Sequence, residues 1–344
     1  MIGRAWSGLL RRVAGRRRPA GLILSYHRVG RAEVDPWLLC VSPEKFAQQL
    51  EVLSATADAV PLDRLRRELR ERPRRRDRPL VALTFDDGYA DNLHQAKPLL
   101  EAADVAATVF VVSGAVGRGR EFWWDELERG LLTPEATASK LELRTKGRTT
   151  TWRLADAPYG ASEHERHRGW NAIEADDPLA RHGLFRSAYA ALRAASEDER
   201  AAGLGTLLDG RDARARETHR PLSEEELLLL AEGGLVEIGA HTVTHPVLSD
   251  LSEADQRREV RQSRAELEAL LCRPVRPFAY PFGQREHYTA KTVKAVRDAG
   301  YALACSTLPA RVHRRTSRFE LPRFTVLDWD GDEFAKALAG WAGG

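Results

Sequence analysis

The stretch that most constrains this chain is Leu80-Val-Ala-Leu-Thr-Phe-Asp-Asp-Gly-Tyr89. A short apolar run of strand length stops at two adjacent carboxylates and a glycine. Val81, Leu83 and Phe85 favour β-structure, which predicts a buried strand with Asp86, Asp87 and Gly88 at its end. Buried parallel strands with ligands beyond their carboxyl ends are the usual site geometry of α/β enzymes. Side-by-side carboxylates repel unless a cation keeps one of them ionised. Taken alone, an Asp-Gly turn after a strand accounts for the same residues.

A second stretch weighs against that plain turn. Leu235-Val-Glu-Ile-Gly-Ala240 reads as another strand and runs into His241-Thr-Val-Thr-His245. Two histidines four apart at a strand end can turn toward one point. Two neutral imidazoles and one carboxylate make a three-ligand site with an open position, the pattern of catalytic zinc.

Thr84-Phe-Asp-Asp-Gly88 and His241-Thr-Val-Thr-His245 resemble the first two motifs of the polysaccharide deacetylases, carbohydrate esterase family 4 with its NodB-like homology domain. Phe278-Ala-Tyr-Pro-Phe-Gly283 resembles the third, and the resemblance covers about residues 20–120 and 222–328. It implies an α/β fold, an irregular (β/α)7–8 barrel of the deacetylase type. It also implies metal-dependent hydrolysis of an N-acetyl group from an amino sugar in a polysaccharide, oligosaccharide or lipid-linked glycan, releasing acetate. Asp87, His241 and His245 would hold a divalent metal, Zn2+ first. Asp86 would act as general base and the backbone N–H of Phe282 as oxyanion donor. Tyr280, Pro281 and His27, the last at the end of the strand Leu22–His27, are expected to line the substrate cleft.

Two positions depart from the family pattern. The third motif of better-known members carries an arginine that pairs with the catalytic aspartate, and here that position is Ala279; Arg323 is the candidate substitute. The family's histidine in a Leu-x-His setting has no counterpart. His313 is the nearest in order, within a basic loop of Arg311, Arg314 and Arg315, so the proton donor is left open. The competing readings are a deformylase or other amide hydrolase on the same metal, and a non-catalytic carbohydrate-binding protein on a decayed barrel.

At 344 residues the chain has room for one barrel and an insertion. Four regions are expected: a basic amphipathic tail over 1–19, barrel over 20–121, an insertion over 122–220, and the rest of the barrel over 221–344. Between the motifs, strand and helix alternate, as in Ser42-Pro43 opening a helix, Asn92–Ala103 helical and Ala107–Val112 a strand. Ser223-Glu-Glu-Glu226 and Ser252 cap two further helices, and Phe324–Leu327 reads as the last strand. The alternation breaks at Phe122-Trp-Trp-Asp125. A hairpin is expected over 141–154 and helix over most of 178–209. This insertion is expected to form a lid or substrate wall on the catalytic face. Trp123, Trp124 and Trp152 are candidates to stack on sugar rings, with two of the three expected in the insertion's own core; Trp124 is the one retained for the site.

Charge and cysteines exclude several classes. A net charge of +3 and the absence of helix-turn-helix or zinc-finger patterns argue against nucleic acid, even with an arginine-dense run over 64–78. Three widely spaced cysteines, Cys40, Cys272 and Cys305, suggest neither a disulfide framework nor a thiolate zinc site. No apolar run reaches membrane-spanning length, and no export signal is read, so a cytoplasmic protein is expected. In the tail, Ile2, Trp6, Leu9, Leu10 and Val13 share one helical face beside arginines. Residues 1–18 are therefore expected either to be a solvated arm or to touch an anionic inner membrane face peripherally.

Overall fold

The computed structural model describes residues 20–71, 77–134, 138–145, 147–154, 157–208 and 215–343. The tail expected over residues 1–19 lies outside them. The described residues fall into two units. One runs up to Arg31 and includes Cys40–Gly117 and the chain from Leu222 onward; the other is Ala32–Leu39 with Arg118–Pro221.

The first unit is built on eight strands: β1 (Gly21–Tyr26), β2 (Asp58–Ala59), β3 (Leu80–Phe85), β4 (Ala107–Val111), β5 (Val236–Ala240), β6 (Pro277–Ala279), β7 (Leu303–Cys305) and β8 (Phe324–Thr325). They form one parallel sheet in the order β7-β6-β5-β4-β3-β1-β8, with β2 joined to the start of β3. The sheet curls until its ends approach. Leu321 bridges Cys305 in β7, and three residues later Phe324 pairs with Leu24 in β1. One stretch of chain thus completes an irregular α/β barrel, the expected fold class.

Side chains alternate across the strands. Ile23, Ala82, Phe110, Ala279, Cys305 and Leu321 pack together inside the ring. Leu22, Leu24, Leu83, Phe85 and Val109 pack outward with the surrounding helices. Each fully buried side chain of this size is worth about 1.5–3 kcal/mol. The interior is tight: a Cβ on Gly239 of β5 would lie 2.5 Å from the Phe110 ring, so β5 has room only for glycine there. Helix Leu62–Glu71 closes the end where the strands begin, because Leu62, Leu65 and Leu69 join the inner cluster. Among the described residues no helix is long and apolar enough to cross a membrane.

Three elements differ from expectation. Residues 57–62, whose composition reads as one short strand, give only β2, since Leu62 already opens a helix. The helix after the paired aspartates begins as a wide π-turn, Asn92–Ala96, and becomes α-helix at Lys97–Ala103. Pro98 lies at that change, having no N–H to give to the carbonyl four residues back. The 178–209 helix is two, Ala180–Arg193 and Glu197–Leu207, because Ser196 and Glu199 form a capping box that starts a new one.

The second unit holds an antiparallel hairpin, Lys140–Thr145 with Arg148–Arg153, and four helices among its described residues. Ala32–Leu39, placed by the sequence in the first barrel part, packs with this unit instead. The Trp37 ring lies 4.0 Å from that of Tyr189, and Pro36 O accepts the Ala172 N–H. Arg216 bonds both Glu121 and Glu128, all three largely buried.

Candidate active site

The site is assembled where β3, β5 and β6 end. Asp86 is tied to the end of β1 by its N–H on Tyr26 O at 2.9 Å, and His241 to the end of β4 by its N–H on Val111 O at 2.9 Å. Oδ1 of Asp87 then lies 3.7 Å from Nε2 of His241 and 3.4 Å from Nε2 of His245. All three side chains are buried, with one donor atom from each within 4.8 Å of the others.

The donor set fits a divalent ion. Tetrahedral bonds near 2.0–2.1 Å place ligand atoms ~3.4 Å apart, close to the spacing found. Nδ1 of His241 lies 2.8 Å from Ala279 O, where it can only donate, and this leaves Nε2 with its lone pair toward Asp87. Burial also lowers the pKa of His241, which favours the neutral, ligating imidazole.

The backbone around these residues is unusual. Asp87, Thr242, His245 and Phe282 all have positive φ, at 72°, 66°, 54° and 60°. Such conformations cost non-glycine residues of order 1–3 kcal/mol each and persist only where neighbours enforce them. For the His241–His245 loop the enforcing group is Glu259, buried on helix Glu253–Leu271. Its carboxylate accepts Val243 N–H at 2.8 Å, Thr244 N–H at 3.0 Å and the Thr244 hydroxyl at 2.9 Å. Inside the loop, Thr242 Oγ1 accepts the His245 N–H at 3.1 Å.

Asp86 faces away from that cluster toward Arg323. The guanidinium gives Nη1 and Nη2 to the two carboxylate oxygens, both at 2.7 Å, and its remaining bonds go to Thr84 Oγ1 and Ser306 O. Burial alone would push the Asp86 carboxyl up. The Arg323 charge and hydrogen bonds, helped by His241 and His27, overcome this and hold it far below the usual carboxylate range. Arg323 thus makes the pairing with Asp86 expected of the candidate substitute.

His27 belongs to the same group. Burial, opposed by the charge of Asp86 and aided by Arg323 and His241, lowers it to about 4. Its backbone is anchored by Asn92, whose Nδ2 donates to His27 O at 2.9 Å. Next to it, Arg28 pairs with Asp91 at 3.1 Å and lies over the Tyr89 ring. Phe282 turns its ring edge to His245 at 4.8 Å and stays partly exposed, and Pro281 O closes a tight turn by accepting Gly283 N–H.

Two expected substrate contacts do not fit. Tyr280 is fully buried on the outer side of β6, where its hydroxyl donates to Phe319 O at 2.9 Å and its ring stacks on Tyr288 at 4.3 Å. It follows Ala279, which points inward, so strand alternation turns it away from the site. Trp124 is 4% exposed and stacked parallel to Phe122 at 4.7 Å in the second unit, which leaves no face for a sugar. His313 is also misplaced as a proton donor: its neighbour Val312 bridges Gly21, at the opposite end of the strands. Glu259 and Asp91 escaped the sequence reading, and Thr84 and Asn92 entered it only as parts of a motif and a helix. Glu259 did leave a trace, since it falls on the buried stripe Gln256, Glu259, Val260, Ser263 and Leu267 of an amphipathic helix.

Comparison with known proteins agrees with this geometry. Residues 74–133 and 208–304 match the family model described as polysaccharide deacetylase. A curated Bacillus subtilis protein, YxkH, named provisionally as a polysaccharide deacetylase, is 28% identical over 105 residues. That stretch is 30% of this chain and only 36% of the relative, about a third of its length. In fold, the chain resembles the Streptococcus pyogenes deacetylase PplD, solved with acetate, at a TM-score of 0.56 and 17% identity over 93% of this chain and 98% of that one. It resembles IcaB from Ammonifex degensii at 0.56 and 19% identity, over 95% and 98%. Residues 74–133 and 208–304 thus match a polysaccharide deacetylase domain, and the chain shares its fold with these deacetylase structures.

Proposed function

We propose that the barrel hydrolyses the N-acetyl group of an amino sugar in a glycan, releasing acetate and leaving a free amine. The observation that carries this reading is the division of labour between adjacent carboxylates. Asp87 joins two imidazoles, while Asp86 is held apart, ionised, by Arg323. Asp87, His241 and His245 would hold a divalent ion, Zn2+ by the chemistry of the donor set, which would polarise the acetyl carbonyl and acidify a water. Asp86 accepts two hydrogen bonds from Arg323 and keeps further lone pairs for a water proton. The backbone N–H of Phe282, in its positive-φ turn, would meet the oxygen that gains charge.

The leaving amine needs a proton, and His27 is our candidate to bring it. It is an imidazole within the fields of Asp86, Arg323 and His241. Neutral at rest, it suits a relay that takes up a proton during the reaction and passes it on. The second unit, as the wall or lid that sets substrate choice, and the cytoplasm as place of action also remain part of this proposal.

The test joins metal analysis with acetate release from N-acetylhexosamine oligomers. His241→Ala and His245→Ala should lose metal and activity together. Asp86→Asn and His27→Ala should keep metal and lose turnover by roughly a hundredfold or more. Unimpaired acetate release by Asp86→Asn would end this mechanism. Faster release of formate from N-formyl sugars would make the enzyme a deformylase.

A further inference from the structure

The strands of the barrel are parallel, so the segments that precede them gather at the end opposite Asp86, Asp87 and His241. Helix Leu62–Glu71 lies at that end, with Leu65 against Gly21, the first residue of β1. Segment 311–318 lies there too. Val312 and Gly21 exchange backbone hydrogen bonds of 2.8 and 2.9 Å, and Arg318 O accepts the Ala304 N–H at 2.8 Å, in β7. Residues 77–78 and 273–276 lead into β3 and β6.

These four segments hold 11 arginines and four acidic residues, a net of +7 in a chain whose total is +3. The rest of the molecule is therefore net negative, including Asp104, Glu232 and Asp298 in the segments that precede β4, β5 and β7, so the excess positive charge at this end is concentrated on helix Leu62–Glu71 and residues 311–318. Arg64 and Arg78 are paired, with Glu68 and Asp58. Arg66, Arg67, Arg70, Arg314, Arg315 and Arg318 form no ion pair with any described residue, and all but the half-buried Arg66 are exposed. Arg66 feels the charges of both Arg70 and Arg318, which brings helix and loop together as one patch. Like charges held together repel at a cost to the fold, and such a patch attracts anions. The sequence holds further charge of the same sign. Residues 1–19, which precede β1 in the chain, hold six arginines and no acid, and 72–76 hold four and none.

We infer that the end of the barrel where the strands begin is a docking face for an anionic lipid bilayer, with the reacting end turned away from it. An acidic polymer would answer the charge equally well. The lipid is favoured by the sequence pattern of residues 1–19, in which Ile2, Trp6, Leu9, Leu10 and Val13 recur at helical spacing among arginines. The boundary between headgroups and acyl chains takes up such a stripe, whereas a nucleic acid or acidic glycan has no use for it. The inference rests on charge placement and on this sequence pattern, and does not depend on the proposed reaction.

The test is co-sedimentation of the full chain with vesicles of phosphatidylcholine, with and without phosphatidylglycerol, at low and high salt. Binding should need the anionic lipid and be released by salt. The full-length variant Arg314→Gln/Arg315→Gln/Arg318→Gln should bind on the order of a hundredfold more weakly, at roughly fivefold per arginine, and Arg66→Gln/Arg70→Gln by about twentyfold. Both should melt within a few degrees of wild type, relief of repulsion offsetting the lost contact of Arg318 with the Phe319 ring; this separates lost docking from lost folding. Wild-type binding by both variants would assign attachment to residues 1–19 alone and overturn the docking face. So would retention on heparin or DNA without binding to anionic vesicles.

Discussion

Arg323 and Asp86 stand 237 positions apart in the chain and meet through two parallel 2.7 Å hydrogen bonds, with both side chains out of contact with solvent. Taking two charges out of water is costly, and geometry of this kind is what offsets it. The expected signature is asymmetric. Arg323→Ala strands a buried carboxylate and should destabilise the barrel by about 3–5 kcal/mol. Arg323→Lys keeps the charge but loses the fork, so it should fall between. Urea unfolding decides it: a loss near zero for Arg323→Ala would mean that the pair does not hold the barrel end together.

Glu237 should make the fold weaker in alkali. It lies on the inward side of β5, two residues before Gly239, and burial, with Asp63 adding and Arg276 and Arg273 opposing, raises its carboxyl to about 7. The folded chain therefore keeps a proton that the unfolded chain releases above about pH 4.5. Stability from this group is full below that value and is lost as pH rises toward about 7. Allowing for partial exposure, wild type should be less stable at about pH 8 than at about pH 5 by on the order of 2 kcal/mol. Glu237→Gln should flatten this slope. An unchanged slope in the variant would place the titration elsewhere.

Tyr280→Phe separates a packing residue from a substrate contact. The lost hydroxyl leaves Phe319 O without its donor, at a cost of about 1 kcal/mol or slightly more in thermal or urea unfolding. KM for the glycan should not move. A several-fold rise in KM without loss of stability would return Tyr280 to the cleft.

The parts of this molecule that were legible in sequence are those written in consecutive residues. The apolar run 80–85 and the strand 236–240 announce themselves by composition, and the ligand candidates follow them directly, so the barrel and the Asp87–His241–His245 group could be read. Arg323 was reachable only as a candidate, because nothing local says which arginine crosses 237 positions to an aspartate. Tyr280 misled because a motif was read as a unit, while strand alternation sends Ala279 and Tyr280 to opposite sides. Ala32–Leu39 could not be assigned to the second unit, since its partners Ala172 and Tyr189 are more than a hundred residues away. The positive φ values at Asp87, Thr242, His245 and Phe282 have no sequence mark, because none of the four is glycine.

That strain makes Glu259 the residue whose loss should be most instructive. Thr242 and His245 would relax toward ordinary conformations if nothing opposed them, and the Glu259 carboxylate bonds the two residues between them. It touches neither histidine ring, so it acts by positioning. Glu259→Ala should leave Val243 and Thr244 without their acceptor and loosen both imidazoles. Supporting groups of this kind typically contribute 10- to 100-fold in metal affinity, so zinc titration against a competing chelator should show a loss of that order. Glu259→Gln keeps one oxygen for the two backbone N–H groups, and the Thr244 hydroxyl can rotate to accept from the amide. It should therefore recover most of the affinity, which a role for the negative charge would not allow. If Ala and Gln weaken zinc equally, charge and not loop geometry is what Glu259 supplies. If neither does, the His241–His245 loop holds its shape unaided.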